Sequence, residues 1–144
     1  KAFPAADLTG LDLSAAMLDR ARKNLAGGSI AVTLIQKSYD RPLSPEHPFD
    51  LLIFSYALSM FNPGWEQAMD SAYQDLREGG CIAVVDFHHS RFPVFQRWMA
   101  HNHVRLEGHL LPRLESGFRP QVCTIYPAYG GIWSYFLFLG EKTG

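Results

Sequence analysis

The sequence has no long hydrophobic run, no excess of charge of either sign, little cysteine and no glycine-rich nucleotide loop. Its longest nearly apolar stretch, Leu51 to Phe61, is too short to span a bilayer and carries two serines and a tyrosine. Thirteen Lys and Arg against fourteen Asp and Glu leave a net charge of −1, which argues against a nucleic-acid binder that neutralises phosphates. The two cysteines, Cys81 and Cys123, form no C-x-x-C; both fall in predicted strands, so buried free thiols in a cytoplasmic setting are expected. There is no H-E-x-x-H and no carboxylate triad. His101 and His103 fall late in a predicted helix, where i and i+2 share no face, so no metal ligand set is expected. Neither G-x-G-x-x-G nor G-x-G-x-G occurs, and the Gly-Gly pairs at Gly27, Gly79 and Gly130 read as helix ends or turns. Little chain stands before Gly10, and the first residue is Lys1, so the expectation is a partial domain without its first strand and glycine loop. No signal peptide, internal repeat or low-complexity tract is visible.

What is present is an alternation of strands and helices over 144 residues, with a hydrophobic share of 47% that excludes a disordered chain. A strand is expected over about Leu8 to Leu13, then a helix over Ser14 to Ala26 with Met17, Leu18, Ala21 and Leu25 as its apolar stripe. Asp19 and Lys23, four apart, are placed to pair, and Gly27-Gly28 ends the helix. A second strand covers about Ile30 to Gln36, and a polar, proline-rich loop runs from Arg41 to Pro48. Phe49 to Ser55 is a continuous apolar run, the pattern of a parallel strand buried on both faces. Asn62 is expected to cap a helix that begins at Pro63, buries Trp65, Met69, Ala72 and Leu76, and stops at Gly79-Gly80. A strand at Cys81 to Phe87 follows, then a helix from Pro93 with Val94, Phe95, Trp98 and Met99 inward. Val104 to Pro120 reads as irregular, and strands over Gln121–Tyr126 and Ile132–Gly140 read as an antiparallel pair. The expected fold is one α/β, Rossmann-like domain over residues 1–144, its mostly parallel sheet ending in a C-terminal antiparallel hairpin.

Ligands of such sheets bind beyond the carboxyl ends of the strands. The residues there are Asp12 and Leu13, with Met17 one turn into the helix, then Lys37, Ser38, Tyr39 and Asp40, then Ser55, Tyr56 and Ala57, and finally His88 and His89. The most informative stretch is Thr9-Gly-Leu-Asp-Leu-Ser-Ala-Ala-Met-Leu18, a short strand that ends on an acid and turns at once into an amphipathic helix. A carboxylate in that place can accept both hydroxyls of a ribose.

The spelling D-L-S-x-x-M-L-x-x-A over Asp12 to Ala21 resembles class I S-adenosylmethionine-dependent methyltransferases. Phe49-Asp50 before an apolar strand and Leu76-Arg-Glu-Gly-Gly80 before the next are also similar to that family. The resemblance implies S-adenosylmethionine as cofactor, with Asp12 on the ribose and Leu13 and Met17 flanking the adenine. Where the family often has Gly-Asp-Ala, this chain has Lys37-Ser38-Tyr39, so Ser38 or Asp40 takes the adenine amino group or nothing does. Tyr39, Ser55 and Tyr56 complete the implied cofactor set. A narrower resemblance lies in Phe54-Ser-Tyr-Ala-Leu-Ser-Met60, Val84-Val-Asp-Phe87, His109-Leu-Leu-Pro112 and Tyr129-Gly-Gly-Ile-Trp-Ser-Tyr-Phe-Leu-Phe138. These segments are similar to bacterial enzymes that N-methylate amino-lipid head groups, the betaine-lipid and phosphatidylethanolamine N-methyltransferases. That implies a small-molecule or lipid amine as acceptor and peripheral contact with the inner face of the membrane. His88, His89 and His109 are then candidates to take the amine's proton, and Tyr56 and Tyr129 to face the growing ammonium. Arginines and aromatics mixed between His88 and Tyr135 suit a surface that meets lipid head groups. Two other readings stand beside this one: a Rossmann-type oxidoreductase with Asp12 on the ribose of a nucleotide cofactor, and a non-catalytic fragment or binding module.

Overall fold

The structure, a computed structural model, describes residues 6–27, 31–44 and 46–144. The chain forms two compact units, Lys1–Tyr39 and Asp40–Gly144. The first contains β1 (Leu8–Asp12), α1 (Ala15–Leu25) and β2 (Val32–Gln36). The two strands pair in parallel from Leu8 opposite Val32 to Asp12 opposite Gln36. They approach closely at Gly10, where a Cβ would stand 2.8 Å from Leu34 Cδ2. Ser14 caps α1 by accepting the Met17 N–H at 3.3 Å. Of the expected stripe only Leu18 is buried; Met17 and Leu25 are exposed. Asp19 pairs with Arg22 at 2.6 Å, one residue before the expected Lys23. Gly28 and Ile30, expected at the helix end and strand start, lie outside the described residues.

The second unit is a four-stranded sheet of β3 (Phe49–Ser55), β4 (Leu76–His89), β5 (Arg119–Ala128) and β6 (Trp133–Glu141), in the order β3-β4-β6-β5. β3 and β4 are parallel, and β6 runs antiparallel to both β4 and β5. The expected hairpin is therefore present, inserted with its second strand against β4. α2 (Trp65–Asp75) packs on β4, and α4 (Leu110–Gly117) on β6. Ile82, Val84, Asp86, Phe136 and Phe138 are all buried on the helix-covered face of the sheet. The other face is only half covered. This overturns the two-faced burial expected of β3, since Phe54 is buried while Leu51 and Ile53 are exposed, Ile53 to 67%.

Five further expectations are corrected. Asn62 does not cap α2. Its amide donates to the carbonyls of Ser59 (2.6 Å) and His103 (3.2 Å), the Asn62–Pro63 peptide is cis, and Gly64 at φ 132° stands at the helix start. Gly79-Gly80 does not stop the helix, which ends at Asp75. The pair lies inside the irregular start of β4, where the Gly79 N–H meets the Lys142 carbonyl and the Lys142 N–H meets that of Gly80. α3 (Pro93–His101) buries Met99 against Val104, Leu106, Phe87 and Phe95, but leaves Val94 72% and Trp98 60% exposed. The stretch expected to be irregular holds α4, with Pro112 in its first turn, where an N–H has no helical partner to lose. Cys81 is half-buried and Cys123 is exposed, its Sγ 3.4 Å from Glu115 Oε1, so the thiols are free but not buried.

Candidate functional site

In the first unit the end of β1 is a fixed turn. Asp12 Oδ1 accepts the Ser14 N–H at 2.8 Å, and the Asp12 carbonyl accepts the Lys37 N–H at 3.3 Å. The Leu13 carbonyl accepts from Gln36 Nε2 at 3.2 Å. Asp12 Oδ2 takes no hydrogen bond among the described residues. Beside it Leu13 and Met17 stand 64% and 53% exposed, high for apolar side chains at a strand–helix turn. Parallel pairing brings Lys37 and Ser38 alongside. Ser38 is half-buried, Tyr39 is buried, and exposed Asp40 lies 3.8 Å from Arg41. Asp12 and Leu13 thus stand at the end of β1 with Met17 in the first turn of α1, Ser38 follows the end of the neighbouring β2, and Tyr39 is buried.

In the second unit the chain leaves β3 through Ser55 and Tyr56. Ser55 is exposed. Tyr56 adopts φ 51°, its N–H bound to the Val85 carbonyl at 2.8 Å. Burial pushes the Tyr56 hydroxyl up, with Tyr135 and Asp86 adding to the effect. Three residues on, the Ser59 N–H meets Asp86 Oδ2 at 3.1 Å, and the Phe87 N–H meets Oδ1 at 2.8 Å. Asp86 is fully buried. Burial raises its carboxyl, and the hydrogen bonds from Ser59 and from the Phe87 and Leu58 backbone oppose that rise. Sequence reasoning did not single out Asp86 as a site residue. The only signal was an acid closing an otherwise apolar strand run.

Strand alternation puts His88 on the Asp86 face, edge-on to Phe136, its ring against Gly108, whose N–H bonds the His88 carbonyl at 2.8 Å. Its Nδ1 is buried and has no partner among the described residues. Burial pulls its imidazole below the ordinary value, with His89 second. His109 packs edge-on to Trp65 at 4.9 Å, with both ring nitrogens buried and unpartnered among the described residues. Burial and then Arg105 lower its imidazole against Glu107, Asp86 and Glu66. His89 is exposed, and its carbonyl accepts from Ser134 Oγ. Tyr129 lies elsewhere, at the β5–β6 turn, its ring 6.0 Å from Trp133, which in turn contacts Phe87 on the opposite sheet face from His88. The four predicted substrate residues therefore do not form one cluster. Among the described residues no group of three metal-ligating side chains is found, and no helix is long and apolar enough to cross a membrane. A cavity of about 550 Å³ between α2, α4 and the C-terminal residues, crossed by the Asp70–Arg113 ion pair, includes none of these strand-end residues.

Comparison with known proteins adds the family. The model of the methyltransferase domain family matches residues 1–80, more than half of the chain. No curated protein matches the chain in sequence. Among solved structures, the N-methyltransferase NodS from Bradyrhizobium japonicum WM9, in complex with S-adenosyl-L-homocysteine, is 16% identical with a TM-score of 0.77, over 96% of this chain and 67% of that one. The [4+2]-cyclase SpnF is 15% identical, TM-score 0.79, over 96% and 67%. An rRNA methylase from Streptococcus thermophilus is 15% identical, TM-score 0.61, over 96% and 74%. Identities this low show the fold alone, and these neighbours differ in chemistry. The family match sets aside the oxidoreductase reading. The chain belongs to the methyltransferase domain family and has the class I fold of S-adenosylmethionine-dependent methyltransferases.

Proposed function

We propose that this chain binds S-adenosylmethionine through the β1 turn and serves N-methylation of an amino-lipid head group, in peripheral contact with the inner membrane face. The turn at Asp12 carries the reading. One carboxylate oxygen is held by Ser14 and the other is open to accept ribose hydroxyls, while exposed Leu13 and Met17 offer apolar contact to an adenine ring. Ser38, half-buried after β2, supplies a hydroxyl for the adenine edge in place of the family's aspartate, and buried Tyr39 supports that loop from within. These residues fit the nucleoside end of the cofactor.

When bound, S-adenosylmethionine supplies an electrophilic methyl on a sulfonium. Orientation and exclusion of water contribute much of the rate in such a transfer. An amine acceptor must present its lone pair, so its proton has to leave first. Burial lowers the imidazoles of His88 and His109 and so favours their neutral, proton-accepting forms. His89, next in the chain to His88, is exposed to solvent. Within the second unit, Tyr56 and Tyr129 offer ring faces to the ammonium that forms.

Asp12→Ala tests the binding claim. Loss of a charge-assisted hydrogen bond should weaken S-adenosylhomocysteine by about 1.5–3 kcal/mol in calorimetry. Unchanged affinity removes the assignment. Transfer of labelled methyl groups to phosphatidylethanolamine vesicles tests the acceptor; transfer only to soluble amines or to oxygen would leave the family standing and remove the lipid.

A further inference from the structure

The exit of β3, the end of β4 and the β5–β6 turn carry a continuous run of rings. Tyr56 lies 4.9 Å from Phe87, and Phe87 4.9 Å from Trp133. Trp133 lies 6.0 Å from both Tyr135 and Tyr129. Interplanar angles of 34° to 57° mean that these rings are tilted against one another, and Tyr135 also stacks on Tyr126 at 5.4 Å and 24°. A core cluster would be covered. Here Tyr56, Phe87, Trp133 and Tyr135 are only half-buried, and Tyr129 is 79% exposed.

A cation stands at the edge of this wall without a partner. Arg77, Arg105, Arg113 and Arg119 each reach a carboxylate. Arg91 makes no ion pair or hydrogen bond among the described residues. Its Nη2 lies 3.2 Å from the point where a Cβ on Gly131 would sit, so the guanidinium rests against the turn between Tyr129 and Trp133. The preceding residue pins it there: the buried Ser90 hydroxyl donates to the Ile132 carbonyl at 2.6 Å.

We infer that Arg91 and the ring wall of Tyr56, Phe87, Trp133, Tyr135 and Tyr129 form a subsite for a zwitterionic head group, with its ammonium against the rings and its anionic group on the Arg91 guanidinium. Ring faces attract an ammonium, and most strongly one whose methyl groups exclude water. A planar guanidinium with free donors takes a phosphate or carboxylate through paired N–H bonds. Neither half alone distinguishes an amine from any other amphiphile; the fixed neighbourhood of the two does. The inference deepens the proposed function and rests on it for the acceptor being an amine.

The test is calorimetry on the full 144-residue chain with phosphocholine as probe. Its carbon isostere, in which a tert-butyl group replaces the trimethylammonium, should bind about tenfold more weakly or worse. Arg91→Gln should weaken phosphocholine about tenfold and leave tetramethylammonium unchanged, whereas Tyr129→Ala should weaken both. Both altered side chains are exposed, so the fold should survive, and Arg97→Gln controls for loss of charge. Binding of phosphatidylcholine vesicles beside free phosphocholine separates a lipid-borne head group from a soluble one, and either form supports the subsite. Equal binding of the isostere, no binding of phosphocholine in any form, or indifference to Arg91→Gln overturns it. Methyl transfer to amino-lipids without phosphocholine binding would remove the subsite and keep the proposed function; phosphocholine binding without such transfer would do the reverse.

Discussion

Asp86, His88 and His109 sit close in sequence or contact at the end of β4, and burial moves all three toward their neutral forms. The consequences for stability have opposite signs. The two imidazoles have folded values below the ordinary 6.5, so the unfolded chain binds their protons more tightly. Their contribution is complete above about pH 6.5 and is lost as the pH falls through the folded values. Asp86 has a folded value above the ordinary 3.8, so its burial destabilises once the pH exceeds the folded value and is relieved as the pH falls back. Urea denaturation in steps from pH 8 to pH 5 should therefore show stability declining below about pH 6.5. Replacing both His88 and His109 with Gln should flatten that decline, and a slope unchanged in the double variant would place its origin elsewhere. At this scale the sequence disclosed Asp12 and Ser14, because a strand-terminal acid followed by a cap is a local pattern. It concealed Asp86, whose importance comes from Ser59, a contact 27 positions away. Asn62 was misread for the same reason: its amide is engaged by the carbonyl of His103.

At the scale of elements, apolar runs and alternation were enough to place every strand, while the turns and helix faces depended on neighbours. Gly79-Gly80 has the composition of a helix stop. The helix had already ended at Asp75, which accepts the N–H groups of Leu43 and Ser44 at 2.8 and 2.9 Å and so ties the loop before β3 to the end of α2. α4 was hidden by Pro112, which reads as a breaker unless the helix is known to begin two residues earlier. Of the four apolar residues of α3 expected inward, Met99 is buried in the cluster with Val104 and Leu106 and half-buried Phe95 packs against it, while Val94 and Trp98 stay exposed. These placements give contrasting expectations for truncation. Leu114→Ala removes a fully buried side chain of α4 and should cost about 2–5 kcal/mol in a denaturant titration. Val94→Ala, on the open face of α3, should stay within about 0.5 kcal/mol. Equal losses at the two positions would contradict the orientation of both helices.

At the scale of the whole molecule, the fold class was legible because the order of elements, strand–helix alternation closing in a hairpin, is itself a sequence property. What sequence could not convey is which sheet faces are covered. In the second unit, Ile53, Ala83, Leu139 and Val122 form one cross-strand row, and Ser55, Val85, Leu137 and Thr124 form the next on the same face. Ile53, Val122 and Leu137 are exposed there, and Leu51 extends the patch along β3. Among the described residues β3 has a partner strand on one side only, which leaves a row of backbone donors and acceptors at the edge of an apolar face. Such an edge recruits other chains, and natural edges are often blunted with lysine. The 144-residue chain should therefore self-associate with rising concentration. Ile53→Lys places a charge at the most exposed apolar position of β3 while leaving buried Phe54 in the core, so it should shift sedimentation velocity profiles toward the monomer without lowering the melting midpoint. Phe54→Ala, on the covered face, should do the opposite: lower the midpoint and leave association no weaker. If Ile53→Lys unfolds the chain, the outer face of β3 is covered in solution, and the burial of both strand faces read from its unbroken apolar run is restored.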